Sequence, residues 1–196
     1  MTNETPNATP RQFAERYLPD PSTPKLEALR QIVATLRDPG IGCPWFQRQT
    51  HAAMKPEVVE EAAEVVCGIN VLESTGNAEN LKEELGDLLL QVVLHAQLAA
   101  EQGRFTLDDV IQTASDKLVR RHPWVFTEEK FDSYDALVER YLAIKKVDKA
   151  GKEWIEAEYL PGAFEESIAL VRTAQERKAR GRGITDRVGT EPADGE

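Results

Sequence analysis

The chain has 196 residues, with 34 Asp and Glu against 24 Lys and Arg, for a formal net charge of −10. Such an acid excess argues against a general binder of nucleic-acid polymers, which needs surplus cations for the phosphates, and against docking on an anionic membrane surface. No apolar run approaches the roughly 20 residues that span a bilayer. The opening MTNETPNATPRQ lacks the basic and apolar regions of a secretory signal. Cys43 and Cys67 lie at no metal-ligand spacing. The expectation is therefore a cytoplasmic protein with reduced thiols.

Residues 1–24 read as an arm punctuated by Pro6, Pro10, Pro19, Pro21 and Pro24, in which only Phe13 to Leu18 could make a helical turn. Leu26, Leu29, Ile32, Val33 and Leu36 then fall at helical spacing, and Asp38-Pro39-Gly40 stops that helix. The loop GIGCPWFQRQTH follows. Pro56 suits the first turn of a second helix that runs to about Ser74, with Val59, Ala62, Ala63, Val66, Ile69 and Val71 as core positions.

Gly76-Asn77 breaks it, and a third helix covers roughly Ala78 to Gln102. Its LLLQVVLHAQLA stretch is apolar nearly all round, which predicts burial on more than one side and favours an oligomer. Gly103 fits as the residue just past its end. A fourth helix spans about Leu107 to Arg121, with Asp108 and Asp109 where the helix dipole favours them. His122-Pro123 ends it. Another helix runs through Lys149, and Pro161-Gly162 precedes a last one to about Arg180. From about residue 181 the chain has no periodicity and reads as a disordered tail. No period-2 strand is present, so the fold class is all-α, a bundle of four central helices.

Two acidic segments stand out on the second and third helices. Glu60-Glu61-Ala62-Ala63-Glu64 and Glu83-Glu84-Leu85-Gly86-Asp87 each place carboxylates three or four residues apart, hence on neighbouring positions of one helix face. Packed antiparallel, the two faces would converge. A single Glu-rich first turn is read most simply as a solvated face that complements the dipole. Two of them on consecutive core helices favour a cation site, because gathered carboxylates repel unless compensated. Oxygen ligands suit Mg²⁺ or Mn²⁺, in one or more ions. A di-iron bundle would want Glu-x-x-His motifs, but Arg48, Val92 and Val119 stand three before His51, His95 and His122.

CPWFQRQTH, EEAAE, LKEELGDLLLQVV, EQGRF, DKLVRRHPWVF and AIKKVDKAGKEW follow in order along the chain. Together they resemble the MazG nucleoside triphosphate pyrophosphohydrolase family over about residues 25–155. The resemblance implies a four-helix-bundle, MazG-like domain in a homodimer, with a tetramer left open. It implies Mg²⁺-dependent cleavage of a nucleoside triphosphate to the monophosphate and pyrophosphate, with Mn²⁺ as substitute. By motif position Glu61, Glu64, Glu84 and Asp87 would be the metal ligands, and Glu60 a carboxylate able to orient or deprotonate the attacking water. Lys117, Arg121 and Lys145 would meet the phosphates. Tyr141 stands where the family has Trp and keeps an aromatic ring. Phe46 stands where the family often has Asp, and Trp124 within its HPHVF. The organisation expected is an arm at 1–24, a catalytic domain at 25–155, a C-terminal helix at 156–180 and a tail at 181–196.

Several polar residues have plainer readings. Arg120-Arg121 could complement the helix dipole, although Arg121 sits one turn from Lys117. His51 and His122 are expected to cap or pack. His95 should be a hydrogen-bonded core or dimer residue, and Cys67 a small core residue. Trp45 could stack on a base or plug the bundle end. RTAQERKARGRG reads as a solvated helix end. Two other functions stay open: a narrow-specificity relative acting on dUTP, dCTP or phosphoribosyl-ATP, and a non-catalytic helical interaction protein. The second is disfavoured by the presence of all four carboxylates and the basic positions.

Overall fold

Helix α1 (Lys25–Arg37) is closed by Asp38, whose carboxylate accepts hydrogen bonds from the backbone N–H of Gly40 at 2.8 Å and Ile41 at 3.0 Å and turns the chain back. This is a computed structural model that describes residues 18–188, with side chains through residue 180. The first 17 residues of the predicted arm and the tail from 189 lie outside the described residues. All regular structure among the described residues is helical.

The loop after α1 contains one short turn of helix, α2 (Pro44–Gln47), which periodicity is too coarse to reveal. Helix α3 (Lys55–Thr75) has Pro56 in its first turn and ends at Gly76, whose φ of 74° is a left-handed cap that a side chain would strain. Helix α4 is Glu79–Glu101. Helix α5 (Leu107–Arg121) opens on a reciprocal cap: Thr106 Oγ1 accepts from the Asp109 N–H at 3.2 Å, and Asp109 Oδ2 accepts from the Thr106 N–H at 2.8 Å. A second short turn, α6 (Pro123–Phe126), precedes α7 (Tyr134–Lys149), capped by Ser133.

Helix α8 (Glu153–Val188) corrects two expectations. It begins well before Pro161-Gly162 and runs through that pair. Proline costs the helix one backbone hydrogen bond, but residues 150–166 are exposed, so the freed carbonyl meets water. It also continues to Val188, into the stretch read as tail.

Helices α3 and α4 form an antiparallel hairpin. They come close at Gly68, which is buried, and where a Cβ would lie 2.7 Å from the Leu81 Cα. Helix α1 packs on α4, α5 on α4, α6 and α7 on α5, and α8 on α3. The core gathers at the α1–α4–α5 junction: Val33, Met54, Val93, Leu94, Ala96, Leu98 and Leu107 are buried, with Leu29, Phe46, Leu90 and Val110 packed against them.

The predicted core of α3 is not closed within one chain. Val66 is 57% and Ile69 40% exposed, and Ala62, Ala63 and Cys67 are exposed too. The expected burial of α4 on several sides is only partly met, because Leu85, Leu89 and Val92 are exposed. Ala62, Val66 and Ile69 form one i, i+4, i+7 stripe, and Leu85, Leu89 and Val92 another.

Candidate active site

The α3–α4 hairpin carries the carboxylates. Its turn is short, and Gly68 lets the helix backbones approach, so the acidic faces meet. One carboxylate oxygen from each of Glu61, Glu84 and Asp87 lies within 4.8 Å of the others. Asn80 Nδ2 donates to Glu84 at 2.8 Å and steers that side chain. Glu61 Oε2 is buried and has no hydrogen-bond partner. Burial, followed by repulsion from Asp87, Glu57, Glu84 and Glu60, pushes the Glu61 pKa up. A buried acceptor without a donor is costly, and a hard cation would relieve both the missing partner and the repulsion. The donor set is all oxygen, which suits Mg²⁺, Mn²⁺ or Ca²⁺.

The other two acidic positions on α3 are engaged elsewhere. Glu60 is buried and pairs with Arg177, and with Lys178 at 3.1 Å; Lys178 also pairs with Glu64. Burial raises the Glu60 pKa, but Lys178 and Arg177 together outweigh it and hold the carboxyl below its ordinary value. That makes Glu60 a weaker proton acceptor while both cations sit on it. Sequence reasoning missed Arg177 and Lys178, which it placed on a solvated helix end. The available signal was a basic run in an otherwise acidic chain.

The expected phosphate-binding residues form a separate patch at the α5–α6–α7 junction. Asp148 receives Nε of both Arg120 and Arg121 at 2.6 Å, and its pKa is pulled down to about 2 by Arg120 and Arg121. Because the contacts use Nε, the Asp148 pair leaves the outer nitrogens of each guanidinium out of it, and Tyr141 is a further partner of Arg121. Asp148 was not singled out in the sequence; four residues after Ile144, it faces α5 across the junction. Tyr141 adjoins Arg121, and the Tyr141 ring lies 5.7 Å from His122, which is 5.3 Å from Trp124. Lys117 is exposed at the rim of a cavity of about 450 Å³ lined also by Phe105, Asp109, Val110 and Thr113. Lys145 is half-buried on α7 and makes no ion pair among the described residues.

Trp45 is 52% exposed and lies edge-on to Phe46. Arg37 ties this segment to the far end of α4, donating to the Phe46 carbonyl and to Glu101 at 2.6 Å. Glu101 is 14 residues past Asp87 on α4, about 21 Å away at 1.5 Å per residue. Among the described residues, no hydrogen bond or ion pair joins Trp45, Lys117, Arg121, Tyr141 or Lys145 to the Glu61–Glu84–Asp87 cluster. His95 is hydrogen-bonded as expected: its Nδ1 lies 2.8 Å from that of His51. Burial and the neighbouring His51 lower its pKa.

Residues 49–126, which include the hairpin, its carboxylates and α5, match the MazG nucleotide pyrophosphohydrolase domain. This segment is a MazG domain. The chain is similar to the Thermotoga maritima nucleoside triphosphate pyrophosphohydrolase/pyrophosphatase MazG, 48% identical over 108 residues, covering 55% of this chain and 40% of that protein. It is similar to the Escherichia coli K12 nucleoside triphosphate pyrophosphohydrolase, 41% identical over 128 residues, covering 65% of this chain and 47% of that protein. An uncharacterised 26.1 kDa protein of Streptomyces cacaoi is 35% identical over 161 residues, covering 81% of this chain and 64% of that one. The chain therefore spans less than half the length of the two relatives named as pyrophosphohydrolases. The MazG domain supplies every carboxylate of the cluster, whereas Arg177, Lys178, Tyr141, Lys145 and Asp148 lie beyond it.

Proposed function

We propose that the protein is a Mg²⁺-dependent nucleoside triphosphate pyrophosphohydrolase that releases pyrophosphate and leaves a nucleoside monophosphate. The observation that carries this reading is the convergence of Glu61, Glu84 and Asp87 in a MazG domain, with a buried Glu61 oxygen lacking any partner. Glu61, Glu84 and Asp87 would hold the cation, and Glu64 would join them once freed from Lys178. The ion supplies charge neutralisation for phosphate oxygens that would otherwise be repelled by these acids. Lys117, Arg121 and Lys145 would bind the triphosphate, with Asp148 fixing Arg121 so that its outer nitrogens point as a fork. Glu60 is the residue proposed to orient or deprotonate water, a role that requires Arg177 and Lys178 to leave it. Tyr141 and Trp45 are the proposed aromatic contacts to the base.

We further propose a homodimer. The exposed stripes Ala62/Val66/Ile69 and Leu85/Leu89/Val92 sit on consecutive antiparallel helices, so a two-fold axis would pair two hairpins into one four-helix core. No described helix is long and apolar enough to cross a membrane, and a cytoplasmic location is part of the same proposal. House-cleaning of canonical or aberrant nucleotides is the role proposed.

The decisive experiment incubates the purified protein with Mg²⁺ and a panel of canonical and modified NTPs and dNTPs, and identifies the products. Pyrophosphate with monophosphate is the expected result. Orthophosphate would refute the cleavage position, and no turnover across the panel would favour a non-catalytic interaction protein. Rates confined to dUTP, dCTP or phosphoribosyl-ATP would narrow the reading to a specialised relative.

A further inference from the structure

The acidic face of α3 already carries a cation, and that cation belongs to the chain itself. Helix α8 runs parallel to the first half of α3: Lys55 Nζ meets Glu166 at 3.0 Å near the start, and Arg177 and Lys178 reach Glu60 and Glu64 further along. An apolar cleft lined by Val58 and Val59 of α3 and Ala163 and Leu170 of α8 lies between the two helices. Lys178 spans two carboxylates, Glu60 and Glu64. Glu64 is also the one acid of the expected four-carboxylate set that stands apart from Glu61, Glu84 and Asp87.

These observations are linked. Glu64 is on the same face as Glu61, one turn along α3. It can turn toward the hairpin cluster or toward α8. Its side chain is 29% exposed and that of Lys178 is 43% exposed. The charges also favour the α8 contact in the absence of metal. Six acids, Glu57, Glu60, Glu61, Glu64, Glu84 and Asp87, share this end of the hairpin, and Arg177 and Lys178 are the cations in contact with them among the described residues. A divalent ion would bring the same compensation in more compact form.

We propose that Lys178 occupies a cation position of the carboxylate site, so that docking of the end of α8 and binding of a divalent ion compete for Glu64. The proposal rests on the metal-site reading above. By linkage the coupling is reciprocal: whatever the docked helix subtracts from metal affinity, bound metal subtracts from helix docking. Arg177 and Lys178, once released, are cations positioned beside the triphosphate site from outside the MazG domain.

Mn²⁺ binding to the full chain without nucleotide, followed by electron paramagnetic resonance, tests this directly. Lys178→Gln should bind Mn²⁺ roughly twofold to fivefold more tightly than the wild type, the scale of a partly exposed ion pair removed from the competition. Lys178→Arg, which keeps the pair, should behave as wild type. Lys82→Gln removes an equal charge near the same end of α4 without touching the cluster, since Lys82 pairs with Glu79, and should leave affinity unchanged. Hydrogen exchange gives a readout independent of affinity: Mn²⁺ should speed exchange across 172–180 in the wild type. Equal affinity in wild type and Lys178→Gln, or weaker binding in the variant, overturns the competition while leaving the metal site standing. An equal gain in Lys82→Gln reduces the effect to net charge and overturns it too. Absence of Mn²⁺ binding in every form overturns the metal reading and the competition together.

Discussion

Glu61 is the residue on which the site turns. It is held in a carboxylate cluster, deprived of a hydrogen-bond donor and repelled by four neighbouring acids. Glu61→Gln removes a charge that the metal-free fold does not need, so thermal stability in chelator should hold or rise. The same change should weaken Mn²⁺ binding by about tenfold to a hundredfold and abolish turnover. Thermal shift with and without Mn²⁺ checks both, because only a protein that binds the ion gains stability from it. Asp148 shows the opposite sign. Its folded pKa of about 2 lies below its ordinary 3.8 because Arg120 and Arg121 favour the charged form. Its stabilisation is therefore present above pH 4 and lost as pH falls from about 4 through 2. Asp148→Asn should lower the melting temperature near pH 7 and converge with wild type near pH 2.

At the scale of elements, helix ends were legible wherever a local group writes them. Asp38, Gly76, and Thr106 with Asp109 each satisfy a backbone group within a few residues, and the predicted ends there fall within a residue or two of those observed. The short turns α2 and α6 were not legible, since four residues carry no period. Pro161 misled because a proline ends a helix only where the lost bond cannot be made good by solvent. Gly68 was silent in the sequence and matters only through its neighbour. Gly68→Ala would gain about 1 kcal/mol of helix propensity, but its Cβ would strike the Leu81 backbone. Overpacking of about 1–3 kcal/mol should win, giving net destabilisation in chemical denaturation. The same change would spread the hairpin and weaken Mn²⁺ binding.

At the scale of the whole molecule, the described residues leave apolar side chains exposed that the proposed dimer would cover. Beyond the α3 and α4 stripes, Trp154, Tyr159, Phe164 and Ile168 of α8 are all more than half exposed. Contiguous patches of this kind mark interfaces. Light scattering after size exclusion should give twice the chain mass of 21.9 kDa or a higher even multiple. Val92→Glu, placing a charge in the middle of the α4 stripe, should shift the protein toward monomer and lower its melting temperature. A wild-type monomer would sink the dimer proposal.

Periodicity, caps and the two acidic segments by themselves determined the helical class, the order of the main helices and the carboxylates that could share a cation. These are local properties, because a helix brings residues three and four apart together whatever surrounds it. Which carboxylates actually converge was decided by the tertiary structure. Gly68 sets the distance between α3 and α4, and α8 lies alongside α3 close enough to claim Glu60 and Glu64. The basic end of the last helix reads as solvated in the sequence because charge pairing across 117 residues leaves no period there. Only the packing of α8 on α3 turns a basic helix end into the counter-charge of an acidic site.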